Sequence, residues 1–516
     1  MPVISRAIPT LLRGVSQSSD SLKQADHADI QDNADSNPVL GLTKRSGLQY
    51  LTSLASSTVG NVHIQTINRD ANEQYVAIFS NGNVKVYELD GTEKTVNKPD
   101  GTTYLNTSNP RSVIKTVTIA DFTFVVNTGI TPAMDATLTG GTGTKAIVFI
   151  KQSVADTIYS VTVDGVTASD NTAGESTLRT DTIAADLKSA LDAGLTGFTI
   201  VRNGPVLYIR KDDGSDFSID GTDTQGNSKM TVVKDSVQQF TDLPNVSPHG
   251  YVVEVKGDAG SDFDNYYVKF VGNNTTTDGV VEEGQWEETV KGGIPFKYNY
   301  DTMPHVLIRQ ADGNFRFARV DGDTYTISST TYTLPKWGER IVGDLELAPD
   351  PSFIGQKINN VFFFRNRLGF LAGDNVILST VSEFFNFFPE TVISVLDTEP
   401  IDVAASHTKV AILKHAVTMG EKLILFSEQT QFVLSSSADN LTPSTANVLV
   451  QTEFESNAAA QPVGSGSSIY FLTKKGSFAG IREYITQGNT QISDAANTTI
   501  HVPRLIPSGI FKMAVS

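Results

Sequence analysis

The chain has 516 residues, with 57 acidic against 40 basic side chains, a formal net charge of −17 and a pI near 4.9. Its length can bury several hydrophobic cores, so three or more modules are expected. The acidic balance argues against wrapping nucleic acid by phosphate neutralisation, which needs clustered Lys and Arg, and the absence of cysteine excludes disulfides and thiolate chemistry.

Residues 1–40 form an arm rich in Ser, Asp and Asn that ends at Asn37-Pro38. Its apolar residues are too sparse for an independent core, so the arm is expected to dock on neighbours. Arg6 and Arg13 precede no apolar core of the ~7–15 residues a secretory signal requires. No run approaches the ~18–20 apolar residues of a membrane span, so a soluble chain assembled in a cytoplasm is expected.

A first β part is assigned to 41–144. The stretch Gln74–Gly91 reads as strand, turn at Asn81-Gly82-Asn83, strand, turn at Asp90-Gly91. Asn-Gly between alternating apolar runs is a strong hairpin signal because both residues tolerate positive φ. Val113–Asn127 adds two strands around Ala120-Asp121, which makes about four strands in one blade-like unit.

Residues 145–245 change character. Two strands are followed by one helical pattern, Thr180–Gly194, in which Ile183, Leu187 and Leu191 recur on one face. Thr180 or Asp181 is expected to cap its start and Gly194 to end it. A hairpin across Asn203-Gly204 completes a small inserted α+β domain. An additional β domain is assigned to 246–345, with a hairpin around Asp312-Gly313.

The second β part, 346–516, opens with the clearest meander of the chain. Val361–Phe364, Leu368–Leu371 and Val376–Ser379 are three strands, the last two joined by Gly373-Asp374-Asn375. Consecutive Phe residues at 362–364, 384–385 and 387–388 are read mainly as core. Arg365-Asn366-Arg367 sits at a strand junction, where guanidiniums can pair with carboxylates of a neighbouring subunit or within the chain. Arg365, Asn366 and Arg367, with the basic pair Lys44-Arg45 at a strand entry, are the candidate subunit-interface residues. A further strand, Ile510–Val515, starts without a turn or cap, which suggests a polypeptide that continues. The fold class is mainly β: a propeller-like body with an inserted small α+β domain and an additional β domain.

Chemistry is sparse. The histidines at 27, 63, 249, 305, 407, 415 and 501 form no HExxH or HxH arrangement. His407 and His415 are placed on strand segments. The glycine-rich Thr139–Lys145 lacks the order of a phosphate loop, and Gly464–Ser468 fails the GxSxG pattern. The acidic clusters Asp212–Asp216 and Asp258–Asp264 lack calcium-loop spacing and read as solvated turns. No catalytic, cofactor-binding or metal-binding residue is assigned. Paired carboxylates for glycoside cleavage can join distant residues, which leaves a cell-wall or polysaccharide hydrolase as the alternative function.

The wording of several stretches is specific. FFFRNRLGF (Phe362–Phe370), Pro400–Val417, Leu423–Ser435, the Met303-Pro304-His305 to Phe315 segment and the opening with Gly14-Val15-Ser16-Gln17 and Lys44-Arg45 resemble the nozzle, or tail tubular protein B, family of short-tailed phages. The resemblance implies a virion tail subunit in a homohexameric ring below the adaptor (tail tubular protein A) ring. It implies support for tail fibres and a channel that phage DNA crosses without sequence-specific binding. An acidic wall would repel phosphates and let the duplex slide. In that family a further β-rich part follows the point reached by residue 516.

Overall fold

Alternating apolar residues in short runs, punctuated by glycine turns, make this chain a series of antiparallel sheets rather than a single one. A computed structural model describes residues 10–54, 59–140, 144–257, 265–408, 411–436, 440–486 and 493–515. Arg6, the 141–143 part of the glycine-rich stretch and the Asp258–Asp264 cluster lie outside them. The mainly β class is as expected.

Sheet A comprises His63–Asn68, Gln74–Ser80, Asn83–Glu88 and Glu93–Lys94, paired in chain order. Sheet C (Ile358–Phe364, Arg367–Ala372, Asn375–Leu378, Ile401–Ala404), sheet D (His415–Met419, Lys422–Phe426, Gln431–Ser436, Ala446–Thr452) and sheet E (Val463–Ser465, Ser468–Lys475, Phe478–Thr486, Ser493–Asn497) repeat the same four-stranded meander. Sheet B is different. Its order is Val96–Asn97, Phe315–Ala318, His305–Arg309, Phe122–Asn127, Ile114–Ile119, so strands from either side of the insertion share one sheet, with Leu307 opposite Thr123.

Two expectations change here. Val62–Asn127 is not one four-stranded unit, because Ile114–Asn127 pairs with a distant hairpin and leaves sheet A. That hairpin, His305–Ala318, lies inside the stretch assigned to the additional β domain but belongs to the body.

Successive sheets stack face to face, because each strand presents alternate side chains to its two neighbours. Val125, Leu307, Phe315 and Phe317 bury against Tyr75, Phe79 and Val86 of sheet A. Phe124, Val126 and Val306 of the same strands turn the other way, toward Val361, Leu368 and Phe370 of sheet C. Leu423 and Leu425 face sheet C, and Ile424 and Phe426 face Phe471 and Tyr484 of sheet E. Each fully buried Leu or Phe contributes about 1.5–3 kcal/mol, so these interfaces supply most of the cohesion.

One position in sheet C tolerates only hydrogen. The ring of Phe362 lies over Gly369, its cross-strand partner, and a Cβ there would meet the ring at 2.3 Å. Phe362 is buried in the core between sheets C and D. Gly369→Ala should therefore lower the urea unfolding free energy by about 1–3 kcal/mol; an unchanged midpoint would show that the ring can move.

The insertion leaves and returns along a two-stranded stalk. Met134 bridges Tyr298 and Leu138 bridges Pro295, with Asp135 N donating to Lys297 O at 2.9 Å and Asn299 N to Ala133 O at 2.9 Å. Beyond it, the helix Thr180–Gly194 buries Ile183, Ala184, Leu187 and Leu191 in a core shared with Ile147's neighbours Ala146 and Val148 and with Tyr159 and Val161. Its predicted ends need correction: Arg179 is the N-cap residue and Leu195 the C-cap. Arg179 donates through Nε to Asp181 Oδ1 at 2.9 Å, so the Asp181 carboxylate is engaged with its neighbour instead of the helix start.

A second core joins this module to the next sheet. Ile147, Val206 and Tyr208 pack with Tyr251, Val253 and Phe270; the 145–245 and 246–345 segments therefore meet through a common apolar layer. The predicted strand at Ile510–Val515 is absent: these residues pair in no sheet.

Candidate functional site

The first strands of sheets A, C, D and E and the edge strand Ile114–Ile119 of sheet B converge on one cavity of about 380 Å³. Each contributes side chains near its start: His63 and Gln65, Lys115 and Thr116, Asn360, His415 and Val463. The segment that follows sheet E returns to sheet A across this cavity. Phe478 bridges Pro507, the Arg111 guanidinium lies 4.1 Å from the Phe511 ring centroid, and Lys512 Nζ donates to Ile64 O at 3.3 Å. The N-terminal arm reaches the same segment, with Gln17 N donating to His501 O at 2.9 Å.

The cavity wall is polar and its hydrogen bonds are directional. His63 Nε2 lies 2.7 Å from Thr116 Oγ1, and the Thr116 hydroxyl donates to Gln65 Oε1 at 2.8 Å. Thr116 Oγ1 therefore accepts from the ring, which places the His63 proton on Nε2. On the opposite wall His415 Nε2 lies 2.9 Å from Ala458 O, a pure acceptor, so Nε2 again carries the hydrogen. Its Nδ1, 3.2 Å from Asn360 Nδ2, accepts from that amide, whose Oδ1 is engaged by Val361 N at 2.9 Å.

These bonds suit neutral imidazoles. Burial, reinforced by Lys115 and Lys512, pulls His63 down to about 4, and burial with Lys115 and Lys414 does the same to His415. Lys115 is itself lowered by burial and then by Lys414. All of the charged groups acting on these three side chains are cationic.

The sequence-predicted residues lie elsewhere. Arg365 and Asn366 are the two turn residues between the first strands of sheet C, both at positive φ (46° and 58°). Asn366 Nδ2 donates to Ser382 Oγ at 2.5 Å, and Arg365 reaches Glu421 O at 3.3 Å. Lys44 and Arg45 are exposed at the end of the hairpin Ala34–Asn37/Gly41–Lys44. Arg367 requires a correction. It is only 1% exposed and its guanidinium is taken up inside its own chain, by Ser379 O at 2.6 Å, Glu399 O at 2.5 Å and Asp397 O at 3.1 Å. It is therefore unavailable to a neighbouring subunit.

Other expectations fall out similarly. His407 sits in a loop, 3.4 Å from Glu453 Oε1, and not on a strand. In the Asp212–Asp216 cluster each carboxylate faces its own donor: Asp212 takes Thr199 Oγ1, Asp213 takes Ser215 N, and Asp216 pairs with Lys234. No group of three or more potential metal-ligating side chains comes together among the described residues, and no helix is long and apolar enough to cross a membrane. The cavity residues were missed because they lie on separate strands across four hundred positions of sequence. The one local signal is a polar residue breaking an apolar strand, as Asn360 does in Ile358–Phe364.

Comparison with known proteins adds two findings. A family model described as bacteriophage nozzle protein matches residues 1–516. The chain is 34% identical over 540 aligned positions to the tail tubular protein gp12 of Escherichia phage T7, covering 100% of this chain and 64% of that protein. The chain thus spans less than two thirds of the length of the curated relative that it matches.

Proposed function

The chain belongs to the bacteriophage nozzle protein family, and from that membership we propose that it is a structural subunit of a short phage tail. The family match across residues 1–516 carries this reading. In it, copies of the chain form a hexameric ring below the adaptor ring, hold tail fibres, and line and gate the channel through which DNA leaves. Assembly takes place in the host cytoplasm and the finished ring resides in the virion tail.

Several physical features support the reading. The four-stranded meanders A, C, D and E and the composite sheet B stack in sequence with their inner strands on one cavity, which supports reading the body as propeller-like. The N-terminal arm exposes Leu22, Ile30, Val39 and Leu40, and Leu48 and Tyr50 just beyond it are exposed as well. Large apolar side chains left exposed along an arm without a core of its own fit a surface that another subunit covers. A ring arises from repeated head-to-tail contacts that close, and Arg365, Asn366, Lys44 and Arg45 are exposed enough to take part. The net charge of −17 disfavours adhesion of a DNA backbone to the wall.

The test is the mass and symmetry of the purified assembly, by mass photometry and electron-microscope class averages, with and without the adaptor protein. A six-fold ring with a central channel is expected on the adaptor. A monomer or trimer that ignores the adaptor would overturn the conduit reading.

A further inference from the structure

We propose that the cavity where the five sheets meet is a binding site for one tetrahedral oxyanion, of the phosphate or phosphomonoester class, with Lys115 as its principal contact. The site stands whether or not the chain builds a tail.

The argument rests on an imbalance of charge. In a chain with 57 acidic and 40 basic residues, the described lining of this cavity contains Arg111, Lys115 and Lys512 and no Asp or Glu. Two of these cations already have weak commitments: Arg111 Nη2 donates to Gly60 O at 3.1 Å, and Lys512 Nζ donates to Ile64 O at 3.3 Å. Lys115 has none. Its ammonium makes no hydrogen bond or ion pair among the described residues, and its charged environment consists of Lys414. An unpaired, largely desolvated ammonium is costly to a fold, and such groups are retained where a ligand completes them.

The neutral wall fits the same ligand. With its proton fixed on Nε2 by Thr116, His63 offers Nδ1, which has no hydrogen-bond partner among the described residues, as an acceptor for a protonated oxyanion. A cavity of about 380 Å³ has room for an oxyanion with several waters, each of which takes ~30 Å³ in the liquid. Lysine is a point-charge donor on a flexible stem, well matched to a compact anion rather than to planar recognition. The site lies where five strand edges meet, with Lys115 partly buried beneath the exposed Lys512.

Calorimetric titration of the full chain with inorganic phosphate, at constant ionic strength in chloride, tests this. One saturable site per chain is expected. Lys115→Met, which keeps the length of the side chain and removes the charge, should weaken binding by about tenfold or more, as loss of a charge-assisted bond does. Lys512→Gln, at an exposed position with little bearing on folding, should weaken it severalfold. A single-stranded DNA dodecamer in parallel separates a free phosphate from a phosphodiester backbone. Absence of saturable heat with phosphate would overturn the proposal, as would phosphate binding that Lys115→Met leaves unchanged while circular dichroism shows the variant folded. Binding of the dodecamer alone would overturn it too, and would reassign these cations to a polymer surface.

Discussion

Arg367→Met should lower the unfolding free energy by about 3–5 kcal/mol, the range for removing one partner of a buried charged network. The magnitude follows from what the guanidinium holds. Sheet C passes from Asn375–Leu378 to Ile401–Ala404 through a long excursion, and Arg367 binds carbonyls at both of its ends, Ser379 at one and Asp397 and Glu399 at the other. Burial lowers Arg367 to about 10, which still leaves it charged at neutral pH. Methionine retains the packing of the stem but leaves two buried carbonyls, those of Ser379 and Glu399, without this donor, at about 1–3 kcal/mol each. Because the excursion delivers Phe385 and Phe387 to Trp337, at ring-centroid distances of 5.3 and 6.1 Å, its loosening should reach the core between sheets B and C. Urea unfolding with an unchanged m-value checks this. A loss below about 1 kcal/mol would show that the carbonyls find other donors. Arg367→Lys should rescue little, because one ammonium cannot span both ends of the excursion.

The protein should also lose stability on mild acidification, beginning above the usual carboxylate range. His305 is 5% exposed and stacks on Tyr104 at 4.0 Å, with Phe317 on its other side at 5.6 Å. Burial lowers it from 6.5 to about 4 against the opposing effects of the Met303 carbonyl and of Asp100 and Asp301, with Arg319 adding to the depression. His415, 3% exposed, is lowered equally, by burial and by Lys115 and Lys414. Between pH 6.5 and about 4 the unfolded chain therefore binds protons that the folded chain does not. Stability is full above pH 6.5, falls through this window, and levels off for these groups below it. The two histidines together amount to about 7 kcal/mol, at 1.36 kcal/mol per pKa unit. Urea midpoints across the window measure the slope, and His305→Gln should flatten about a third of it, because His63 is lowered to about 4 as well. A flat profile in the parent protein would show that both rings are protonated without unfolding.

Much of the local structure was legible because its signals are local. The Gln74–Ser80/Asn83–Glu88 hairpin, the sheet C meander and the buried stripe Ile183, Leu187, Leu191 appear as read from turn residues and periodicity. The turn at Arg365-Asn366 was less evident, since two non-glycine residues adopt the positive φ that such a turn demands. Sheet B was illegible for a different reason: pairing of Thr123 with Leu307 leaves no mark in either segment. Arg367 looked like a surface residue because arginine is seldom fully buried, and nothing in its neighbours announces three carbonyls arriving from residues 379–399. The cavity was hidden twice over, by dispersal of its residues and by histidines whose role depends on partners in other sheets.

The split of sheet B has a consequence for synthesis on the ribosome. Thr123 waits for Leu307, and at the ~5–20 residues per second of translation that interval is on the order of ten to forty seconds. Over that time the face of sheet A formed by Tyr75, Phe79 and Val86 lacks Leu307, Phe315 and Phe317, the residues that cover it. The inserted module has a core of its own and can close in the meantime, so the nascent chain carries a finished appendage on an unfinished body. Premature association of exposed sheet A faces on neighbouring nascent chains is then the hazard, and a delay in completing sheet B lengthens it.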